Sequence, residues 1–229
     1  MKKRVSVIIL ILALIINLAV NVPIIINGDV PHYYWYIMLP VEIVTIICIV
    51  GILQTKEQSI KVLTERFEFR NIRDNEIDQA VTIEHICFPP NEACSRKAMT
   101  ERIKKAPELF LVAVDKETGK IAGFLNGLST NEDAFRDEFF TDVNLYNPEG
   151  KNIMLLGLDV LPEYRGQGLA REIVNQYLRR EQENNREIVF LTCLDLKVKM
   201  YEKMGFVDNG IANSSWGGEE WHQMSVRIN

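Results

Sequence analysis

The sequence predicts a mixed α/β domain carried behind a pair of apolar helices, and three observations predict it. Charge is divided unevenly: of the 57 Lys, Arg, Asp and Glu residues in this 229-residue chain, only Lys2, Lys3, Arg4, Asp29 and Glu42 precede residue 55. Beyond residue 66, short alternating or wholly apolar runs take turns with runs of helical period. One of the apolar runs leads straight into a glycine-bearing turn that opens a helix, as strand-to-helix units do. The length allows one or two domains. A net charge of -5 excludes a nucleic-acid binder working through a broad basic surface. With 47% hydrophobic and 25% charged residues, wholesale disorder is excluded too.

In residues 1–54 the first apolar run covers 5–26. Its helix would be about 33 Å long, enough for a hydrocarbon core of about 30 Å. The run is longer than the apolar region of a cleaved signal peptide and lacks an A-x-A site. A second run covers 33–53, with Tyr33, Tyr34, Trp35 and Tyr36 at its start, where aromatic rings meet headgroups. Runs this long favour spanning over a buried hairpin. Lys2, Lys3 and Arg4 precede the first run, and Lys56, Lys61 and Arg66 follow the second; the turn between has no basic residue. The expectation is a two-helix anchor in the cell membrane with both termini and the following domain cytoplasmic. Glu42 is costly in lipid and is expected to face the other helix or an interface.

Residues 55–66 read as a polar helical linker, and residues 67–229 as the α/β domain. Phe67 to Ile72 alternates as a strand. Asp74 is placed to cap a helix carrying Ile77, Ala80, Val81, Ile83 and Ile86, which Phe88-Pro89-Pro90 ends. Ser95 caps a second helix to about Lys105. Leu109 to Val114 and Ile121 to Leu128 form a hairpin about Lys116-Glu117-Thr118-Gly119. Residues 130–150 are an acidic, aromatic insert, read either as a lid or as a surface excursion. Ile153 to Val160 is apolar enough for a central strand covered on both faces. A helix over Leu169 to Leu178, a strand over Ile188 to Cys193 and a short helix over Asp195 to Lys203 follow. Strands at 205–207 and 221–228 close the chain. Cys48, Cys87, Cys94 and Cys193 show no C-x-x-C spacing, so no metal is expected.

The chemistry concentrates at Leu158-Asp159-Val160-Leu161-Pro162-Glu163-Tyr164-Arg165-Gly166-Gln167-Gly168-Leu169-Ala170. A helix N-terminus leaves about four N–H groups free and carries partial positive charge. Glycines let that backbone come close to an anion, which suits a phosphate or pyrophosphate. No G-K-[S/T] follows, so this is not a Walker loop, and the Rossmann pattern is absent.

Arg165-Gly166-Gln167-Gly168-Leu169-Ala170 resembles the Q/R-x-x-G-x-G/A acetyl-CoA motif of the GNAT N-acetyltransferases, and Tyr201-Glu202-Lys203-Met204-Gly205-Phe206 resembles their Y-x-x-x-G-F segment. The likeness covers about residues 67–229 and implies the GNAT fold, a mixed central β-sheet flanked by helices. Cys87 to Ala93, Ala106 to Phe110, Leu191 to Asp195 and Glu220 to Met224 are similar to the arylalkylamine (serotonin) N-acetyltransferase branch. The resemblance implies that acetyl-CoA is the co-substrate and a small primary amine the acceptor, the amine attacking the thioester directly. It implies that backbone N–H groups of Gly166, Gln167, Gly168, Leu169, Ala170 and Arg171, beside Arg165, hold the CoA pyrophosphate. Leu158 and Val160 would pair with the pantetheine arm.

Tyr201 sits where the family keeps its general acid. A phenol of pKa about 10 can protonate a thiolate of about 8.5 at modest cost. The branch's two histidines correspond here to Met154 and Leu156, which cannot relay protons. Asp159 is the nearest ionisable residue to replace them, and it reads equally as a surface carboxylate. His222 is a second candidate, or a structural histidine. Glu92 and the acidic insert either draw in a cationic amine or form a solvated face. The rival functions are a polyamine or protein N-terminal acetyltransferase, and a non-catalytic membrane-anchored acyl-CoA sensor.

Overall fold

The structure, a computed structural model, describes residues 34–229, with side chains from residue 43 onward except Lys56. The first apolar run and the turn after it lie outside the described residues. The chain divides into two compact units, Met1–Val62 and Leu63–Asn229.

Helix α1 (Tyr34–Arg66) is unbroken. It takes in the second apolar run and also the polar stretch expected as a separate linker. Ile43, Ile46, Ile47, Ile49, Val50 and Leu53 are all exposed, so this part of the helix is apolar on every side. Ile43–Arg66 is the one helix among the described residues that is long and apolar enough to cross a membrane. Two such helices were expected from the sequence.

In the second unit, seven strands form one sheet in the order β1-β2-β3-β4-β5-β7-β6. They are β1 (Phe67–Asn71), β2 (Phe110–Asp115), β3 (Lys120–Thr130), β4 (Asn152–Val160), β5 (Ile188–Cys193), β6 (Val207–Ile211) and β7 (His222–Arg227). Every neighbouring pair is antiparallel except β4 and β5, which run parallel. Helices α2 (Ile77–Cys87) and α3 (Arg96–Lys105) cover one face, with Ile83, Met99 and Ile103 buried against Phe110, Val112 and Phe124. Helix α4 (Leu169–Glu183) covers the other, burying Ile173, Val174 and Tyr177 with Leu111, Leu125 and Ile153. Helix α5 (Asp195–Glu202) lies between β5 and β6 in the chain.

Two local expectations are corrected. Asp74 does not cap α2: it begins a single 3-10 turn, Asp74–Glu76, in which the Arg73 N–H donates to the Glu76 carboxylate at 2.8 Å. Residues 205–207 are not a strand as a whole. Gly205 has φ +101°, and the Gly205 and Phe206 N–H groups bond back to Glu202 and Tyr201 carbonyls at the end of α5, so β6 begins at Val207. The Ser95 cap is as expected, its Oγ accepting from the Ala98 N–H at 3.2 Å.

Candidate active site

The site is positioned by a gap in the sheet. β4 and β5 pair only over Asn152–Met154 and Ile188–Phe190. On its other edge β4 stays paired with β3, and the register slips at Asn126/Gly127, leaving Leu156 as an extra residue on β4. Past Met154 the two strands are no longer bonded to each other, so the β5-facing edge of β4 from Leu155 onward has no strand partner. A cavity of about 890 Å³ opens there. Leu155, Leu156, Gly157, Leu158 and Val160 line it from β4, and Leu191, Thr192 and Cys193 from β5.

The glycine turn forms one wall. Gly166 (φ +74°) and Gly168 (φ +89°) are both left-handed, a conformation that costs other residues about 1–3 kcal/mol. Gly168 is the N-cap of α4 and offers no side chain to bond the helix's first N–H groups. The Leu169, Ala170 and Arg171 N–H groups have no intrahelical acceptor. Arg165, Gly166, Gly168, Leu169, Ala170 and Arg171 line the cavity, together with Leu158 and Val160; of the CoA-contacting residues expected from the sequence, only Gln167 does not. Gln167 instead braces the turn. Its Nε2 donates to the Glu163 carbonyl at 3.0 Å, and its Oε1 accepts from Arg66 at 3.1 Å. Arg66 also pairs with buried Asp115 at 3.2 Å and lies over the rings of Phe67 and Tyr164. Arg165 folds back onto the end of β4, its Nε donating to the Val160 carbonyl at 2.7 Å. These residues fit a pyrophosphate: a bare, uncapped helix N-terminus with glycine on the approach.

Tyr201 lines the cavity from α5 and packs edge-on against Phe206, with ring centroids 5.7 Å apart. Burial, and after it the nearby Cys193 and Asp159, pushes the phenol upward, so it stays protonated at neutral pH. Cys193, opposite on β5, is pushed up to about 12, chiefly by burial. Cys87 is pushed up to about 11 by burial and Asp159. Neither thiol is a thiolate at pH 7.

Asp159 is fully buried and does not itself line the cavity. It faces α2, where Glu84, only 4% exposed, does line it. Sequence reasoning missed Glu84, whose signal was a carboxylate on the apolar face of a core helix, next to Ile83. Met154 is buried, and Leu156 forms part of the wall. His222 lies outside the lining residues, with Nδ1 3.1 Å from both Asp208 carboxylate oxygens. His85 Nε2 is 3.4 Å from the Cys94 carbonyl. Among the described residues no group of three His, Cys, Asp or Glu side chains is placed to hold a metal ion.

The insert is a built wall and not a solvated excursion. Phe135 and Phe139 are buried, and Phe140 stacks on Trp216 at 4.8 Å. Asp137 accepts from the Ser214 hydroxyl and the Ser215 N–H, and Phe135 N–H donates to Gln223 Oε1. Trp216 Nε1 donates to the Glu92 carbonyl at 3.0 Å, and Asn91 Nδ2 to the Gly217 carbonyl at 2.7 Å. Phe88, Glu92, Phe140, Trp216 and Trp221 therefore close one end of the cavity. Burial and Glu219 raise the Glu92 carboxyl above its ordinary value.

The sequence profile of the acetyltransferase (GNAT) family matches residues 77–206. A probable hydrolase, YhcX, of Bacillus subtilis is 30% identical over 118 residues, 47% of this chain; the chain spans only 23% of that protein's length. The loading GNATL domain of CurA from Lyngbya majuscula superposes with a TM-score of 0.62 at 16% identity, over 71% of this chain and 98% of that one. The GphF GNAT-like decarboxylase, solved with isobutyryl-CoA, gives 0.58 at 17% identity, over 71% of this chain and all (100%) of that one. At such identities the two structures share the fold, while the profile match spans more than half of the chain, from α2 to the end of α5. The chain belongs to the acetyltransferase (GNAT) family.

Proposed function

We propose that this chain transfers an acetyl group from acetyl-CoA to the nitrogen of a small primary amine, with an arylalkylamine as the favoured acceptor. One observation carries the reading. The uncapped glycine turn at the start of α4 and the unpaired edge of β4 open onto the same cavity as Tyr201. In this reading the α4 N-terminus holds the pyrophosphate, Leu158 and Val160 bond the pantetheine arm, and Tyr201 protonates the leaving thiolate. Asp159, buried behind the cavity wall, serves the amine's proton through Glu84, which does line the cavity. The aromatic end of the cavity, with Glu92 beside it, suits an acceptor that has a ring and a positive charge.

The anchor belongs to the same reading. A helix that exposes isoleucine, valine and leucine on every side is costly in water and stable in lipid. We place the enzyme at the cell membrane, held by the two apolar runs, with both termini and the catalytic domain cytoplasmic.

The experiment is an amine panel assayed with acetyl-CoA, reading free CoA thiol and the acetylated product. Arylalkylamines should be turned over faster than polyamines or peptide N-termini. Faster turnover of peptides would replace the acceptor class. Acetyl-CoA binding without any turnover would replace the enzyme by a sensor.

A further inference from the structure

Beneath the cavity floor, three polar atoms converge on Gly157. A Cβ built at this glycine would lie 3.0 Å from Asn126 Nδ2, 3.3 Å from Asp159 Oδ2 and 3.6 Å from Glu84 Oε2. All three side chains are buried: Glu84 is 4% exposed, Asn126 1% and Asp159 0%. With both carboxyls ionised, none of these three atoms, nor Asp159 Oδ1, has a hydrogen-bond partner in the protein. Buried polar atoms are seldom left in this state, and a carboxylate least of all. A proton on one carboxyl lets Glu84 and Asp159 bond each other. The other ends of the group are well held. Glu84 Oε1 accepts from the Cys94 N–H at 2.8 Å. Asn126 Oδ1 accepts from Arg102, which also donates to the Phe140 carbonyl of the aromatic wall at 2.7 Å. The unsatisfied atoms therefore point one way, toward the lining residue Gly157, with Glu84 itself on the cavity wall.

We propose that Glu84 and Asp159 form a carboxyl pair that holds one proton between them and takes the proton of the acceptor ammonium, Glu84 as the catalytic residue and Asp159 as the residue that positions and tunes it. The proposal rests on the acetyl-transfer reading above. It supplies the acceptor that Met154 and Leu156 cannot. The facing groups are consistent with it. Around Glu84 stand Asp159 on β4, Arg102 on α3, His85 on its own helix and Cys94. Around Asp159 stand Glu84, Cys87 and Arg165. Burial raises both carboxyls; at Asp159 the charge of Glu84 adds to it and carries the group well above its ordinary range, whereas at Glu84 the hydrogen bond with Asp159 acts in the lowering direction. Two carboxylates this close and this dry cannot both be ionised, so the pair carries no more than one negative charge, the charge that the proposed step uses.

The step balances. The ammonium gives one proton to the anionic member of the pair, and the neutral amine attacks the acetyl carbonyl carbon. A C–N bond forms and the C–S bond breaks. Tyr201 gives its proton to the leaving sulfur, the adduct's nitrogen sheds its second proton to solvent, and one proton from solvent restores the phenol. The pair then returns its proton to solvent, so one proton is released per turnover.

Two measurements test this on the full chain. The first is infrared spectroscopy without substrate. At pH 7 the wild type should show the carbonyl stretch of a protonated carboxylic acid, which the Glu84→Gln/Asp159→Asn double variant loses. A wild type without that band overturns the shared proton, whatever the enzyme does. The second compares two acceptors: an ordinary primary amine, charged at pH 7, and trifluoroethylamine, largely neutral there. Glu84→Gln should lower kcat/KM by about 10²-fold or more for the charged amine and only a few-fold for the neutral one. Asp159→Asn should move the acidic limb of the pH profile to higher pH, because it removes the carboxyl hydrogen bond that steadies the Glu84 anion. Equal losses for both amines, or no loss for the charged one, overturn the proposal. Calorimetric binding of acetyl-CoA separates the two readings. No thiol release by the wild type with any amine, with acetyl-CoA still bound, overturns acetyl transfer itself and the pair's role in it, whereas the infrared band and the two-acceptor comparison bear on the pair alone.

Discussion

Tyr201 and Glu84 line the same cavity from two different helices, α5 and α2. That separation suits a reaction in which one proton leaves nitrogen and another arrives at sulfur. Tyr201→Phe should lower kcat by about 10²–10⁴-fold with little change in acetyl-CoA affinity, as expected for loss of a general acid. Single-turnover rates are the measurement, since they isolate the chemical step. A fall of only a few-fold would leave the phenol as packing against Phe206. The carboxyl pair also predicts a pH effect on stability. Both folded-state values are raised, so the pair is neutral and well tolerated at low pH. Its cost grows as pH climbs from the ordinary carboxylate range, about 4, through the raised values, because the folded state must then hold buried charge. Glu84→Gln should therefore gain thermal stability relative to the wild type as pH rises, and the gap should narrow toward acid pH. A gap independent of pH would contradict the direction of the shifts.

At the scale of elements, the α4 N-terminus and the aromatic wall divide the cavity between two substrates. Gly168→Val forces a branched side chain into φ +89°, where the strain of about 1–3 kcal/mol makes the turn relax and the amide cradle move. Acetyl-CoA affinity should drop by roughly tenfold or more, the equivalent of about 1.4 kcal/mol, by calorimetry. Phe140→Ala should do the reverse, raising KM for the amine several-fold and sparing acetyl-CoA, since an aromatic pair is worth about 0.5–1.5 kcal/mol beyond its area. Equal effects on both substrates would mean that Phe140 merely supports the fold. Much of this was legible in the chain. The Ile153–Val160 run, apolar but for Asp159, marked the central strand, and the glycine pair marked the turn. What was not legible depends on contacts distant in sequence. The insert's fate was decided by Ser214, Trp216 and Gln223, about 80 residues on. Glu84 was hidden because helical period cannot say that a buried carboxyl has a second one opposite it on β4. The Asp74 cap failed because Glu76, two residues later, takes the Arg73 N–H and also a bidentate pair with Arg70.

For the whole molecule, the question is what joins the apolar helix to the catalytic unit. The last turn of α1 belongs to that unit by contact as well as by chain. Lys116 Nζ takes the Thr64 and Glu65 carbonyls at 2.9 and 3.0 Å, satisfying two of the helix's free acceptors. Arg66 bridges Asp115 and Gln167, and Leu63 is buried, with its Cδ1 3.8 Å from where a Cβ at Gly168 would be. The turn that holds acetyl-CoA in our reading is thus braced by the end of the helix that we propose leaves the membrane. Cutting the chain should separate the two roles only if those last residues are kept. Residues 55–229 retain the whole brace, so they should remain in the supernatant after high-speed centrifugation and bind acetyl-CoA as the full chain does. A chain beginning at residue 67 lacks Leu63 and Arg66 and should bind it more weakly. The full chain should sediment with membranes and resist alkaline extraction, which strips peripheral proteins but not helices spanning hydrocarbon. Recovery of the full chain in the alkaline supernatant would overturn the anchor. Equal acetyl-CoA affinity for the chains starting at 55 and 67 would show that the brace contributes nothing to the turn.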